Sequence, residues 1–119
     1  MKFEVKKPPR IFEVGDRNKI SIVDCVELDL EPNEQVTFKT ASGAEFDVTR
    51  KEWGYYATPS TNGRLKRFGW RTALVMSPSG QYYIFLMEHG KQAEFDSYLN
   101  EEGHSVVKWL DDEKDLATL

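Results

Sequence analysis

The chain has a single cysteine, Cys25, among 119 residues. One thiol excludes an intramolecular disulfide and every cysteine-rich zinc site. Histidine is almost as scarce. His89 and His104 are the only two, and they lack the i, i+4 spacing that sets two imidazoles on one helix face. The expectation is therefore no metal site, with a two-histidine metal-dependent enzyme as a remote alternative. No apolar run reaches the roughly 18 residues of a membrane span. The basic start, Met1 to Arg10, leads into no apolar stretch. The expectation is a protein without a signal peptide or membrane contact, in the reducing cytoplasm. Nucleotide and nucleophile motifs are missing as well. There is no Walker loop and no Gly-x-Gly-x-x-Gly, and no serine sits in Gly-x-Ser-x-Gly. The adjacent carboxylates Glu101-Glu102 and Asp111-Asp112 lie in polar stretches, not in the apolar setting that separates two carboxyl pKa values. These absences point to a non-catalytic protein with no cofactor.

What is present is a single domain, 1–119, with enough chain to bury a core unaided. Aromatics make up 13%, too many for a disordered chain. The net charge of −4 conceals an uneven distribution. Residues 50–87 carry +5, whereas 1–49 carry −3 and 88–119 carry −6.

Along the chain, residues 1–10 read as an extended arm, because Pro8-Pro9 fixes φ and keeps Lys7 out of a helix. Ile11–Val14 reads as a short strand ended by Gly15-Asp16. In the next segment Ile20, Ile22, Val26, Leu28 and Leu30 share one parity, which predicts a strand with one buried face and a bulge or break near Asp24. A turn at 31–34 leads to a hairpin of Val36–Thr40 and Glu45–Thr49, with Val36, Phe38, Phe46 and Val48 on its buried face. Asn62-Gly63 is a type I′ turn signal from which Arg64–Phe68 would leave as a strand. Arg71–Met76 and Tyr82–Met87 form a second hairpin, apolar on both faces and so placed centrally. The period then changes. Phe95, Tyr98 and Leu99 form a helical stripe within 91–102, stopped by Gly103. Ser105–Leu110 reads as a last strand, and 111–119 as an acidic, frayed C-terminal tail. The fold class is α+β: a mostly antiparallel, barrel-like β-sheet with one C-terminal helix packed on it. A β-sandwich is the alternative.

The segment Leu30-Glu31-Pro32-Asn33-Glu34-Gln35-Val36 resembles the strand–turn–strand opening of a cupin barrel. That resemblance implies a β-barrel. It implies no cupin metal chemistry, because Thr37, Phe38, Lys39 and Thr40 stand where the metal-binding histidines would follow.

The remaining chemistry lies in the basic middle, where five of the fifteen aromatic residues fall within 53–70. Trp53, Tyr55, Tyr56, Thr58, Ser60, Asn62, Arg64, Lys66, Arg67 and Arg71 are the candidate ligand-binding residues. Guanidinium groups fork onto phosphate or carboxylate, rings stack on bases or sugars, and hydroxyls fix orientation. On a strand, Arg64 and Lys66 would share one face and Arg67 the other, with Gly69 free to bend the chain. The expected partner is an anionic small molecule (a nucleotide, nucleotide sugar or sugar phosphate) or another protein. Single-stranded nucleic acid is the alternative, opposed by a pI near 5.2. The basic middle and acidic ends are complementary, so a homodimer is also in view, while Lys6-Lys7-Pro8-Pro9 would guard an open strand edge.

Overall fold

A computed structural model describes residues 1–15 and 17–119. Eight strands and three helices follow one another as β1 (Lys2–Val14), β2 (Ile20–Asp29), β3 (Gln35–Lys39), β4 (Glu45–Lys51), β5 (Gly54–Ala57), α1 (Arg64–Arg67), β6 (Trp70–Met76), β7 (Tyr82–Glu88), α2 (Gln92–Glu102), β8 (Ser105–Trp109) and α3 (Glu113–Ala117). The strands form three small sheets, ordered β1-β2, β3-β4-β5 and β7-β6-β8, and every pairing is antiparallel. None of these sheets closes, so the barrel expectation fails. The ladder is interrupted after β2 by the 31–34 turn and after β5 by α1. The mostly antiparallel α+β character stands, although its helices are short.

The core gathers around β6. Ala73 and Val75 are fully enclosed, and Leu99 of α2 closes over them with Phe85, Phe95, Val106 and Trp109 packed at the margin. β6 is central because both its edges are paired, whereas β7 is an edge strand with Tyr82, Tyr83 and Ile84 exposed. The alternation of α2 behaves as its stripe predicts. Gly103 ends it in the left-handed region, at φ 70°, and the following amide of His104 donates to Leu99 O at 2.9 Å.

The largest departures lie at the two termini. Residues 1–10 are no free arm but most of β1, paired along β2 from Lys2↔Asp29 to Val14↔Ile20. Ile11–Val14 is the end of that same strand, and the Asp16 half of its predicted stop lies outside the described residues. The irregularity predicted near Asp24 falls on the opposite strand. Register jumps between Val5 and Arg10, leaving Lys6 to Pro9 looped opposite Cys25. The parity of β2 is as read, since Phe3–Leu28, Val5–Val26, Phe12–Ile22 and Val14–Ile20 share one face of the ribbon. That face is not buried, however: Ile22 is 38% exposed and Phe3 62%. At the other terminus, 111–119 is tied down. Asp112 caps α3 by accepting from the amides of Lys114 and Asp115, and Asp115 accepts from Trp109 N at 2.7 Å.

Two local readings invert. Asn62-Gly63 opens helix α1 instead of a hairpin, so Arg64–Arg67 is helical and not a strand. In the β3–β4 hairpin the register is as expected, but Phe38 is exposed, and Asp47 and Thr49 are the buried residues of β4. They tolerate burial because each is bonded: Thr37 Oγ1 donates to Asp47 Oδ1 at 2.7 Å, and Thr49 Oγ1 donates to Gln35 Oε1 at 3.2 Å. Phe38 stacks on Phe46 at 6.2 Å, so the apolar face is partly covered by its own rings.

Leu65 anchors α1 with 1% of its surface exposed. Leu65→Ala should cost about 2–5 kcal/mol, whereas truncating exposed Ile84 should stay within about 0.5 kcal/mol. Urea midpoints of the two variants measure the difference.

Candidate functional site

The turn at 58–63 is held from both sides. Thr58 Oγ1 donates to Gln35 Oε1 and to Asp47 O, the Ser60 carbonyl accepts from Gly63 and Leu65, and Thr61 Oγ1 donates to Leu110 O at 2.6 Å. Asn62 Nδ2 donates to Glu113 Oε1 at 3.1 Å. The turn is thereby fastened to the C-terminal segment, and α1 grows out of it. With Leu65 pointing inward, its neighbours Lys66 and Arg67 project outward. Gly69 then makes the passage into β6 at φ 102°. A Cβ there would come 3.1 Å from Ala44 Cβ, so the approach of the two loops requires glycine.

Arg71, near the start of β6, reaches the buried carboxylate of Asp111. Its Nε and Nη2 donate to Oδ2 and Oδ1 at 3.0 and 3.1 Å, and the guanidinium lies 3.7 Å from the Trp109 ring centroid. A fork on a carboxylate and a plane on a ring use both recognition modes of arginine at once. His89 follows β7 and is clamped to the same region by its amide, which donates to Gly69 O at 2.8 Å.

These elements border an open cavity of about 530 Å³ lined by Lys66, Arg71, His89, Asp111, Asp112, Glu113 and Lys114. Each of its three carboxylates is engaged inside the fold: Asp111 with Arg71, Asp112 as the α3 cap, and Glu113 with Asn62. The capping amides of Asp115 and Lys114 hold the Asp112 carboxyl below its usual range. By contrast, the side chains of Lys66, His89 and Lys114 make no hydrogen bond or ion pair among the described residues. A smaller cavity of about 240 Å³ also touches His89 and is bordered by Arg67, Ser42, Gly69 and Glu88. Consecutive cations of α1 thus line two hollows that both touch His89.

Of the ten residues singled out in the sequence, Lys66 and Arg71 meet in the larger cavity and Arg67 borders the smaller. Arg64 stacks over Phe68 at 5.4 Å. Thr58, Ser60 and Asn62 hold the turn together. Trp53, Tyr55 and Tyr56 belong to β5 and the turn before it and line neither hollow. Trp53 packs against Tyr56 at 5.9 Å, and Arg50 lies over Tyr55 at 5.5 Å. His89, weighed in the sequence only as a remote metal candidate, and the run Asp111–Lys114, not among those ten, also line the larger cavity. The signal available for that run was its charge, opposite to that of 64–71. His104 stands apart from His89, stacked on Tyr83 at 6.1 Å beside Phe85 and Tyr98. No group of three or more His, Cys, Asp or Glu among the described residues is placed to hold a metal ion. The 31–34 turn that resembles a cupin opening is closed by the amide of Glu31 donating to Glu34 Oε1 at 2.7 Å, but it leads into no barrel.

Comparison with family models, with curated proteins and with solved structures finds no match.

Glu88 offers a local test of the smaller hollow. Hydroxyl donation from Ser42 and Thr40 holds its carboxyl below the usual 4.5. A depressed folded value means that this carboxylate stabilises the fold above the unfolded value, and the contribution is lost as pH falls through the folded one. A carboxyl NMR titration should therefore find Glu88 titrating below other glutamates. In a Thr40→Val, Ser42→Ala double variant it should return toward them.

Proposed function

We propose that the protein is a non-catalytic binding domain that takes a small anionic ligand, carrying phosphate or carboxylate, in the cavity beside α1. The observation that carries this reading is the unequal use of charge on the cavity wall. Its carboxylates are all engaged within the fold, while Lys66, His89 and Lys114 keep their donors for something else. A volume of about 530 Å³ suits a mononucleotide, nucleotide sugar or sugar phosphate. Arg71, already fixed by Asp111 and Trp109, provides a pre-oriented cation at little further entropic cost. Among the described residues no helix is long and apolar enough to cross a membrane. We place the domain in the cytoplasm, where its exposed free thiol at Cys25 would stay reduced.

Thermal shift and calorimetry with inorganic phosphate, a nucleoside monophosphate, a nucleotide sugar and a sugar phosphate test the reading. At least one should bind, and Lys66→Ala or His89→Ala should weaken it by about tenfold, the effect of losing one charged hydrogen bond. No stabilisation at millimolar ligand would count against the proposal. The alternative of single-stranded nucleic acid rests on the exposed pair Trp53 and Tyr56. It predicts oligonucleotide binding that falls steeply with salt and is lost in Trp53→Ala, not in His89→Ala.

A further inference from the structure

The β1–β2 ribbon is fastened to the rest of the chain at its two ends. At the turn end, the buried carboxylate of Glu102 accepts from the amides of Arg17 and Asn18 at 2.7 and 3.4 Å. At the open end, the terminal ammonium of Met1 pairs with Glu34 at 3.1 Å and Leu30 is buried. Between these ties its apolar face is largely uncovered: Phe3, Val5 and Val26 are 62%, 50% and 41% exposed, while at the turn end Val14 borders Tyr83, Phe85 and Tyr98. A two-stranded ribbon is at best marginally stable in water unless that face meets another surface.

The pattern along the face identifies what that surface is. Asp24 stands near the middle of β2. Apolar cross-strand pairs lie on either side of it, Val5–Val26 toward one end and Phe12–Ile22 toward the other. Asp24 is held by Lys6 Nζ at 2.7 Å and Arg10 Nη2 at 3.1 Å, and Lys6 also reaches Glu27 at 3.3 Å. The centre is thus a neutral cluster of two cations and two carboxylates, with the Arg10 side chain 67% exposed. We propose that this face is the interface of a homodimer, in which a second copy packs its ribbon face to face about a two-fold axis near Asp24. Such an axis lays the apolar half of one ribbon on the opposite half of the other. The central clusters of the two copies, each already neutral, then meet at the axis and bury no uncompensated charge. Only a self-complementary pattern of this kind satisfies an isologous contact. A face about ten residues long and two strands wide stacks with its copy to bury on the order of 1,000 Å² in total, the lower bound of a specific interface. A contact at that bound belongs to the weak, reversible class, and we expect a dissociation constant in the micromolar range.

Sedimentation of the full chain from about 5 to about 200 μM, a span that brackets a micromolar constant, is the first test. A concentration-dependent dimer is expected, and a monomer throughout overturns the proposal. Ile22→Glu, on the face, should raise the dissociation constant by about 30-fold or more. Val23→Glu, on the opposite face, should leave it unchanged. Equal effects of the two, or none from either, would also overturn it. Should Ile22→Glu fail to fold, a nitroxide on the native Cys25 decides the matter in the wild-type chain. That thiol lies beside Asp24 on the outer face, so two stacked layers about 10 Å apart should hold the labels roughly 20–30 Å from each other. A longer or undefined separation, as for edge-to-edge pairing, rejects the face-to-face arrangement.

Discussion

The contact on which most of the molecule leans is the grip of Arg71 on Asp111. A carboxylate buried as deeply as Asp111 is costly to desolvate, and only a partner placed with both oxygens in reach offsets the cost. The Arg71 fork meets that condition, and the Trp109 ring beneath it keeps the guanidinium from swinging away. One interaction thereby joins the start of β6, the end of β8 and the segment that starts α3. It also sets the wall of the larger cavity, because Asp111 draws the following residues, Asp112 to Lys114, against α1.

The hydrogen bonds of the 58–63 turn extend the same logic. Thr61 and Asn62 direct their side chains to partners within the fold. They fasten the turn to Leu110 and Glu113, so that α1 and the C-terminal segment form two sides of one hollow. His89 is brought in by its backbone, not by its ring, which leaves the imidazole available. The site is built from parts distant in sequence and held mainly by main-chain and buried polar bonds.

That construction explains what was legible in the sequence and what was not. The β6–β7 hairpin and α2 could be read because their signals are local: apolar runs around a Ser-Pro-Ser-Gly turn, and a stripe closed by Gly103. The ribbon parity was legible too, but alternation reports only that two faces differ and says nothing about whether anything covers them. Asn62-Gly63 misled because the turn signal is shared by hairpins and helix starts, and the buried Leu65 decided for a helix. The β4 inversion arose because Asp47 and Thr49 find hydroxyl and amide partners on β3 and at Thr58, pairings invisible to a hydrophobicity pattern. In the basic segment, composition singled out a stretch but not its division. Arg64 went to Phe68 and Arg71 to Asp111, leaving Lys66 and Arg67 as the outward-facing cations. The Asp111–Lys114 wall could be anticipated only as a charge complement, since no spacing rule links residues some forty positions apart.

The anchorage of the ribbon turn by Glu102 has a bearing on biosynthesis. Its bond to the amide of Arg17 spans 85 positions. A chain made from its N-terminus exposes β1 and β2 long before α2 has been translated, and contacts between distant segments are slow to form. Throughout that interval the ribbon, with its apolar face and open edges, has neither its clamp nor a finished body to hold it. The nascent chain is thus vulnerable to adhesion and to chaperone capture at this ribbon. That exposure ends only when α2 has left the ribosome.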